Sequence, residues 1–353
     1  MYNLAFWGFG EMAGYHLSHL LQYDKIKPVG AYDINRVRQR YAECRGLKAY
    51  KSKEELLSDP QIDIILVATS NEIHKELSIE ALKAGKHVLC EKPATMNSAD
   101  LEEIIKSAEN EKKIFTVNQN RRVNKDFLLM KKYVENGTIG DVYAIESRVE
   151  GSKGIPDGWR SIKSMGGGMM LDWGVHLIDQ IMYMRQEKVT NVFCKMYSIN
   201  YKDVDDNFRL TMTFESGLTA HIEVSTNNFI THPRWYVLGN EGTLQIDDWS
   251  CDGKIIRCLN REDKWDKEIT QSKAGPTKTM SPRSPESVET IILNEANNGF
   301  DFRELCTVYD QMVDAIDQKA PLIITPQQCL RVIKVMEAAF ESAEKNEAIH
   351  TCI

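Results

Sequence analysis

Leu4-Ala-Phe-Trp-Gly8-Phe9-Gly10-Glu11-Met12-Ala13 is four apolar residues of strand length, a Gly-x-Gly-x-x-Ala turn, and the start of an amphipathic stretch that runs through Leu21. The two glycines permit a tight turn and bring the backbone close to a pyrophosphate, whose charge the positive end of the following helix attracts. So short a signature takes its meaning from context. Val29–Asp33 reads as a second strand, and it ends in a carboxylate about 20 residues after the turn. Asp33 at that point accepts hydrogen bonds from both hydroxyls of an adenosine ribose and repels a 2′-phosphate. That favours NAD over NADP, although Arg36 and Arg38 follow closely and keep a phosphate tolerable. The expected cofactor contacts here are Gly8, Phe9, Gly10, Glu11, Met12 and Asp33.

Outward from this unit the alternation continues. Arg36–Glu43 reads as a helix and Lys48–Tyr50 as a short strand. Ser52-Lys53-Glu54-Glu55 is a capping box that opens another helix. Asp63–Thr69 is β-branched and almost wholly apolar, as expected of a parallel strand covered on both faces. Glu72–Ala84 (helix), His87–Cys90 (strand), Ala99–Asn110 (helix) and Ile114–Val117 (strand) complete the series. The fold class is α/β, with a doubly wound parallel sheet. The pattern changes near residue 122. After a helix over Lys125–Asn136 and a turn at Gly137–Gly140, apolar Phe208, Leu210, Met212 and Phe214 alternate with polar residues. Ser216-Gly217 turns the chain, and Leu218, Ala220, Ile222 and Val224 resume the alternation, the mark of an antiparallel hairpin with one buried face. Val237–Leu238 and Thr243–Ile246 look like a second hairpin. Residues 264–290, with three prolines and four lysines, read as a long surface loop. Phe302–Ile316 and Pro326–Asn346 read as helices. The expected domains are 1–121 and 122–353, with the tail helix able to pack back on the first.

The 353 residues suit two domains with ample cores. Hydrophobic residues at 42% and charged residues at 27% describe an ordinary globular protein. A net charge of −7 argues against nucleic acid or an anionic membrane as the main partner. No apolar run reaches the length of a membrane span, which takes about 18 residues. No leader pattern stands out, and the eight cysteines are scattered without a C-x-x-C pair. The expected setting is the cytoplasm.

Candidate chemistry lies at strand ends. Thr69, Asn71 and His74 follow the fourth strand, where sheets of this type bind ligands. Asn71 can hold a diphosphate or ribose, while His74 reads equally as a surface histidine. Glu91-Lys92-Pro93 ends the fifth strand and projects Lys92 into the cleft as a proton relay. In Gly166-Gly-Gly-Met-Met-Leu-Asp172-Trp-Gly-Val-His176, three glycines let backbone lie close to a ligand or another helix. Asp172 and His176 stand at i and i+4 on one helical face. A histidine can take a hydroxyl proton as hydride leaves the same carbon, with an acidic neighbour orienting it. The same pair also reads as a capping Asp with a core His, or as two metal ligands. A metal site needs a third ligand, and none stands out.

These motifs, with the stretch Ala68–Pro93 (A-T-S-N-E-I-H … A-G-K-H-V-L-C-E-K-P), Arg121-Arg122 and Trp159-Arg160, resemble the glucose–fructose oxidoreductase / inositol dehydrogenase / rhizopine-catabolism family (Gfo/Idh/MocA) over essentially the whole chain. Ala13 replaces a frequent glycine, and Ser70 a commoner proline. The resemblance implies an N-terminal Rossmann domain and a C-terminal α+β domain with a large, mostly antiparallel open sheet that often builds dimers or tetramers. It implies Lys92, Asp172 and His176 as the catalytic set, with Lys92 and His176 interchangeable in role. Glu91, Lys92, Asn120, Trp159 and Arg160 would lie near the cofactor, and Arg121, with the catalytic set, at the substrate. The implied activity is an NAD(P)-dependent dehydrogenase acting on a secondary alcohol of a sugar, cyclitol or glycoside, such as a C3 hydroxyl. Two other readings stand beside it: an NAD-dependent redox-assisted glycosidase and a non-catalytic nucleotide-sensing regulator.

Overall fold

The computed structural model describes residues 1–262, 269–273, 275–277, 283–294 and 307–353. Residues 302–306 of the expected helix, and 264–268, 274 and 278–282 of the expected loop, lie outside the described residues.

The first half alternates β1 (Tyr2–Trp7), α1 (Glu11–Leu20), β2 (Ile26–Tyr32), α2 (Arg36–Cys44), β3 (Lys48–Ala49), α3 (Lys53–Ser58), β4 (Ile64–Val67), α4 (His74–Lys83), β5 (His87–Cys90), α5 (Ser98–Glu111) and β6 (Phe115–Val117). Its six strands are all parallel and lie in the order β3-β2-β1-β4-β5-β6. All four β4 residues are buried, and alternation sends them to two different cores. Ile64 and Leu66 pack with Leu17 of α1, while Ile65 and Val67 pack with Leu101 and Ile104 of α5. Covering both faces is why the strand carries no polar residue. The strand order reverses between β1 and β4, and the crevice at their carboxy ends is the position where such sheets take ligands. The Ser52 cap forms as expected, its hydroxyl accepting from the Glu55 N–H. Glu55 reaches the Lys51 N–H, one residue earlier than in the capping-box pattern.

The second half is built from α6 (Lys125–Glu135), β7 (Val142–Glu150), α7 (Val175–Met184), β8 (Val189–Tyr197), β9 (Asn207–Phe214), β10 (Thr219–Ser225), β11 (Trp235–Gly239), β12 (Gly242–Ile246), β13 (Gly253–Cys258), β14 (Thr270–Ser272), β15 (Gly275–Thr277), β16 (Val288–Leu293), α8 (Val308–Ile316), α9 (Pro326–Lys345) and β17 (Ile349–His350). Nine strands form one sheet in the order β16-β13-β12-β11-β7-β10-β9-β8-β17. Every pairing is antiparallel except β7 with β10. Both expected hairpins are present, as β9–β10 and β11–β12. The reading of 264–290 as loop throughout is corrected. Its described part holds the β14–β15 hairpin, and from Val288 the chain runs as β16 along β13. β16 is an edge strand with Ile292 exposed, so its sequence carries no one-sided apolar pattern.

Helices α6, α7 and α9 cover one face of this sheet, and α9 also packs on α5 and β6 of the first. The opposite face presents Tyr143, Phe193, Arg209 and His221 to solvent. The tail helices do different jobs. While α9 lies between the sheets, α8 buries Tyr309, Met312 and Val313 in the same core as Leu4, Phe6 and Leu17.

Candidate active site

Gly8 adopts φ +91°, and a Cβ there would collide with the Ala68 carbonyl, so β1 can turn this tightly against the end of β4 only as glycine. Gly10 caps α1 without a side chain, which leaves the first N–H groups of that helix facing the crevice with no side-chain partner. Among the described residues only the Arg38 guanidinium, 3.7 Å away, approaches the place of its absent Cβ. Asp33 is 5% exposed. Its Oδ2 accepts from the Phe9 N–H at 2.8 Å and its Oδ1 from the Asn35 N–H at 2.7 Å. Arg38 stands 3.8 Å from Oδ2. The carboxylate therefore ties the Gly-rich turn to the end of β2 and faces an arginine. Phe9 itself is buried with its ring edge-on to Phe6, so its ring faces the core. Glu11 and Met12 are exposed at the start of α1. These features fit a dinucleotide: an uncapped helix N-terminus, a turn without side-chain bulk, and an acid at the ribose position.

The loop after β4 does structural work. Asn71 is 3% exposed, and its amide donates to the Gly166 carbonyl at 2.9 Å. His74 is fully buried, with Nδ1 2.9 Å from the Pro93 carbonyl and Nε2 3.3 Å from the Thr69 carbonyl. Burial holds its imidazole below the ordinary range. With both nitrogens facing backbone oxygens, His74 has none left for a ligand and pins the β4 loop to the Lys92–Pro93 segment. Glu91 also turns inward. Its Oε1 lies 2.5 Å from His16 Nε2 and accepts from the Asn118 amide at 2.8 Å, and the Tyr309 hydroxyl bonds His16 Nδ1. Burial pushes the Glu91 carboxyl up, but His16, Asn118 and Lys92 together hold it below the usual carboxylate range. The sequence puts His74 near the cofactor by its place after β4, and Glu91 there through the family resemblance. Their side chains brace the loop from behind.

Lys92 points the other way. Its Nζ donates to Asp172 Oδ1 at 2.8 Å and to the Asp172 carbonyl at 2.9 Å. Asp172 Oδ2 accepts from Arg160 Nε at 3.0 Å. Burial raises the Asp172 carboxyl, but the two cations outweigh it and hold the group below its usual range. The three glycines make this convergence possible. A Cβ on Gly166 would meet Asn71 at 2.8 Å, and one on Gly167 would meet the Arg160 carbonyl at 2.5 Å. Gly168 lies against Asp205, whose carboxylate caps the next turn by accepting from the Met170 N–H at 2.7 Å. Burial pushes Asp205 up to about 7. The glycines thus let the β4 loop, the Trp159–Arg160 turn and Asp205 approach one another, rather than a helix.

Met170–Gly174 winds as a wider π turn before α7 begins. Asp172 and His176 do not hydrogen-bond each other, because Lys92 and Arg160 take both Asp172 oxygens. His176 is 4% exposed, and its Nδ1 is buried without a partner. Burial first, then the charges of Lys92, Arg121 and Arg234, holds it well below 6.5, so the imidazole is neutral.

Arg121 lies over the Trp173 ring at 4.4 Å and near Trp249 at 5.3 Å. Arg234 approaches Trp249 at 4.7 Å. Sequence reasoning missed Trp173, Trp249 and Arg234. Trp173 lies inside the motif, but the other two arrive from the β10–β11 and β12–β13 connections, and only the sheet topology brings them here. The neighbouring Arg122 makes a buried bidentate pair with Asp179 and is structural. Asn120 and Trp159 lie in short turns at the crevice, with the Arg160 guanidinium 4.5 Å over the Trp159 ring.

The family model described as "Oxidoreductase family, NAD-binding Rossmann fold" matches residues 2–119, and that of the "GFO/IDH/MocA C-terminal domain" matches residues 127–245. Myo-inositol 2-dehydrogenase of Thermotoga maritima is 30% identical over 249 residues, 68% of this chain and 74% of that one. The chain belongs to the Gfo/Idh/MocA family. It is an oxidoreductase with a nicotinamide-binding Rossmann fold. A second relative, the scyllo-inositol 2-dehydrogenase (NADP(+)) of Bacillus subtilis, is 26% identical, with 84% of this chain and 81% of that one covered. Among solved structures, an NAD-binding protein from Listeria innocua is 40% identical and superposes with a TM-score of 0.93, covering 99% of each chain.

Proposed function

We propose that this oxidoreductase reversibly oxidises a secondary alcohol on the ring of a sugar, cyclitol or glycoside. The observation that carries the reading is the meeting of Lys92, Asp172 and a neutral, unpartnered His176 beside the crevice. A bound nicotinamide dinucleotide supplies the hydride acceptor. His176, neutral and with no hydrogen-bond partner among the described residues, takes the hydroxyl proton. The Lys92 ammonium, held by Asp172, hydrogen-bonds the same oxygen and steadies its developing charge. Asp172 stays ionised between two cations, so it positions Lys92 and Arg160 rather than carrying the proton. Burial of His176 keeps water from the proton it holds.

Asp33 supports NAD over NADP. Arg38 beside it is the feature that favours the alternative, and a relative named for NADP(+) shows that the family includes both. The reading keeps the boundary between residues 121 and 122, a few residues after β6 closes the parallel sheet at Val117. It includes a homo-oligomer built through the open face of the nine-stranded sheet. It also includes a cytoplasmic setting. The test is NADH absorbance with NAD⁺ and a panel of monosaccharides, inositols and glycosides, with Lys92→Ala as the blank. A rise that the variant lacks supports the reading. Aglycone release without net NADH overturns it in favour of the redox-assisted glycosidase.

A further inference from the structure

The charges around His176 are unbalanced. Lys92, Arg121 and Arg234 converge there and Arg160 stands on Asp172, against the carboxylates of Asp172 and Asp126. Both acids are already engaged. Asp172 holds Lys92 and Arg160, while Asp126 lies 3.3 Å from Arg234 Nε and accepts from the Trp235 indole at 2.8 Å. Asp248, next to Trp249 in the chain, accepts from the Ser250 N–H at 2.8 Å and from its hydroxyl. Arg234 is 3% exposed and committed, donating to Ser147 Oγ at 2.6 Å and Gln180 Oε1 at 3.2 Å.

Arg121 is different. Its guanidinium is stacked against Trp173 and Trp249, it makes no ion pair among the described residues, and its Nε is buried without an acceptor. Arg121 is half-buried, a desolvated Nε with no acceptor is costly, and the guanidinium fork matches the paired oxygens of a carboxylate or phosphate. The indoles hold it from the side, and Trp249 is 46% exposed, so this edge of the pocket is open. His176 beside it likewise lacks a partner. A neutral polyol would expel water from this region and leave the excess charge uncompensated.

We propose that the substrate is an anionic carbohydrate, a polyol ring bearing a carboxylate or a phosphate, which Arg121 receives while the ring hydroxyl reaches His176 and Lys92. This rests on the oxidoreductase reading and names its substrate class.

The experiment uses the full chain saturated with NAD⁺ and three forms of one ring: D-glucose, D-glucuronate and D-glucose 6-phosphate. Quenching of tryptophan fluorescence, to which Trp173 and Trp249 contribute, gives Kd without turnover. NADH absorbance is recorded in parallel. At least one charged form should bind about 100-fold tighter than glucose, as expected for a desolvated charge pair. That affinity should fall as salt rises. Arg121→Met should remove the difference, Arg121→Lys should restore part of it, and NAD⁺ affinity should stay within twofold in both, which also checks folding. The better charged form identifies carboxylate or phosphate as the source of the anion. Equal binding of all three forms, binding of none, or equal loss for all three in Arg121→Met overturns the proposal. A large loss of NAD⁺ affinity in Arg121→Met also overturns it, by assigning the arginine to the cofactor. Arg121-dependent binding of a charged form without NADH would uphold the anion site and defeat the dehydrogenase reading. NADH from glucose alone would do the reverse.

Discussion

Replacing Glu91 by glutamine keeps the side chain's shape and removes its charge. The carboxylate is 7% exposed and bonds His16 Nε2 at 2.5 Å and the Asn118 amide at 2.8 Å. Its second oxygen lies 3.3 Å from the Lys92 N–H. Beside an ionised acceptor the imidazole donates from Nε2, so Nδ1 accepts from the Tyr309 hydroxyl. A glutamine must turn its own NH2 toward one of these donors, which leaves a buried donor facing a donor. Losing a hydrogen bond to a charged group costs about 1.5–3 kcal/mol. We take ~2–3 kcal/mol, which lowers Tm by about 5–10 °C for domains of this size. The folded carboxyl lies below its ordinary 4.5, so its stabilisation is complete above that pH and is lost as pH falls through the folded value. The Tm gap between wild type and Glu91→Gln should therefore be full at pH 7 and narrow in acid. Calorimetry with and without NAD⁺ measures it. An unchanged Tm at pH 7 together with a tenfold weaker NAD⁺ affinity would refute the reasoning and place Glu91 at the cofactor.

Lys92→Ala and His176→Ala should each lower turnover by ~10²-fold or more while unfolding at near wild-type temperature, and near-normal steady-state rates in either variant would remove its role. Asp33→Ala should relax the preference for NAD, read as the ratio of kcat/KM for NAD and NADP. An unchanged ratio would mean that another group reads the ribose. Because burial and three cations hold free His176 well below 6.5, kcat/KM should stay level as pH falls through that value. An acidic limb centred on 6.5 would show that the imidazole is not desolvated as described.

The parallel sheet was legible because burial on two faces leaves no room for polar residues, so Ile64–Val67 and its neighbours announce themselves. The β9–β10 and β11–β12 hairpins were legible through period-two alternation over one covered face. Edge and tail strands were not. In β16 Ile292 points to solvent, and β17 has two residues that are ordered by β8 and α9. At the site, Lys92, Asp172 and His176 were named from motif and strand position. Their pairing was not, because a π turn separates Asp172 from His176 and a lysine 80 residues away takes the aspartate. The side chains of Glu91 and His74 turn toward the core that holds their loops, an orientation that neighbourhood in sequence does not announce. Arg234 and Trp249 carried no local signal, since it takes the sheet's strand order to bring them to Arg121.

The contact between His16 and Tyr309 spans 293 residues. Leu4, Phe6 and Leu17 therefore remain partly uncovered until α8 has been synthesised, so the cofactor-binding half cannot finish its core as it leaves the ribosome. Such late closure slows folding and leaves an apolar face open to wrong partners in the meantime. A nascent or proteolysed fragment that ends after β6 should be sticky and a natural client for chaperones. The protein would then tolerate a nick in its surface loops far better than the loss of its last fifty residues.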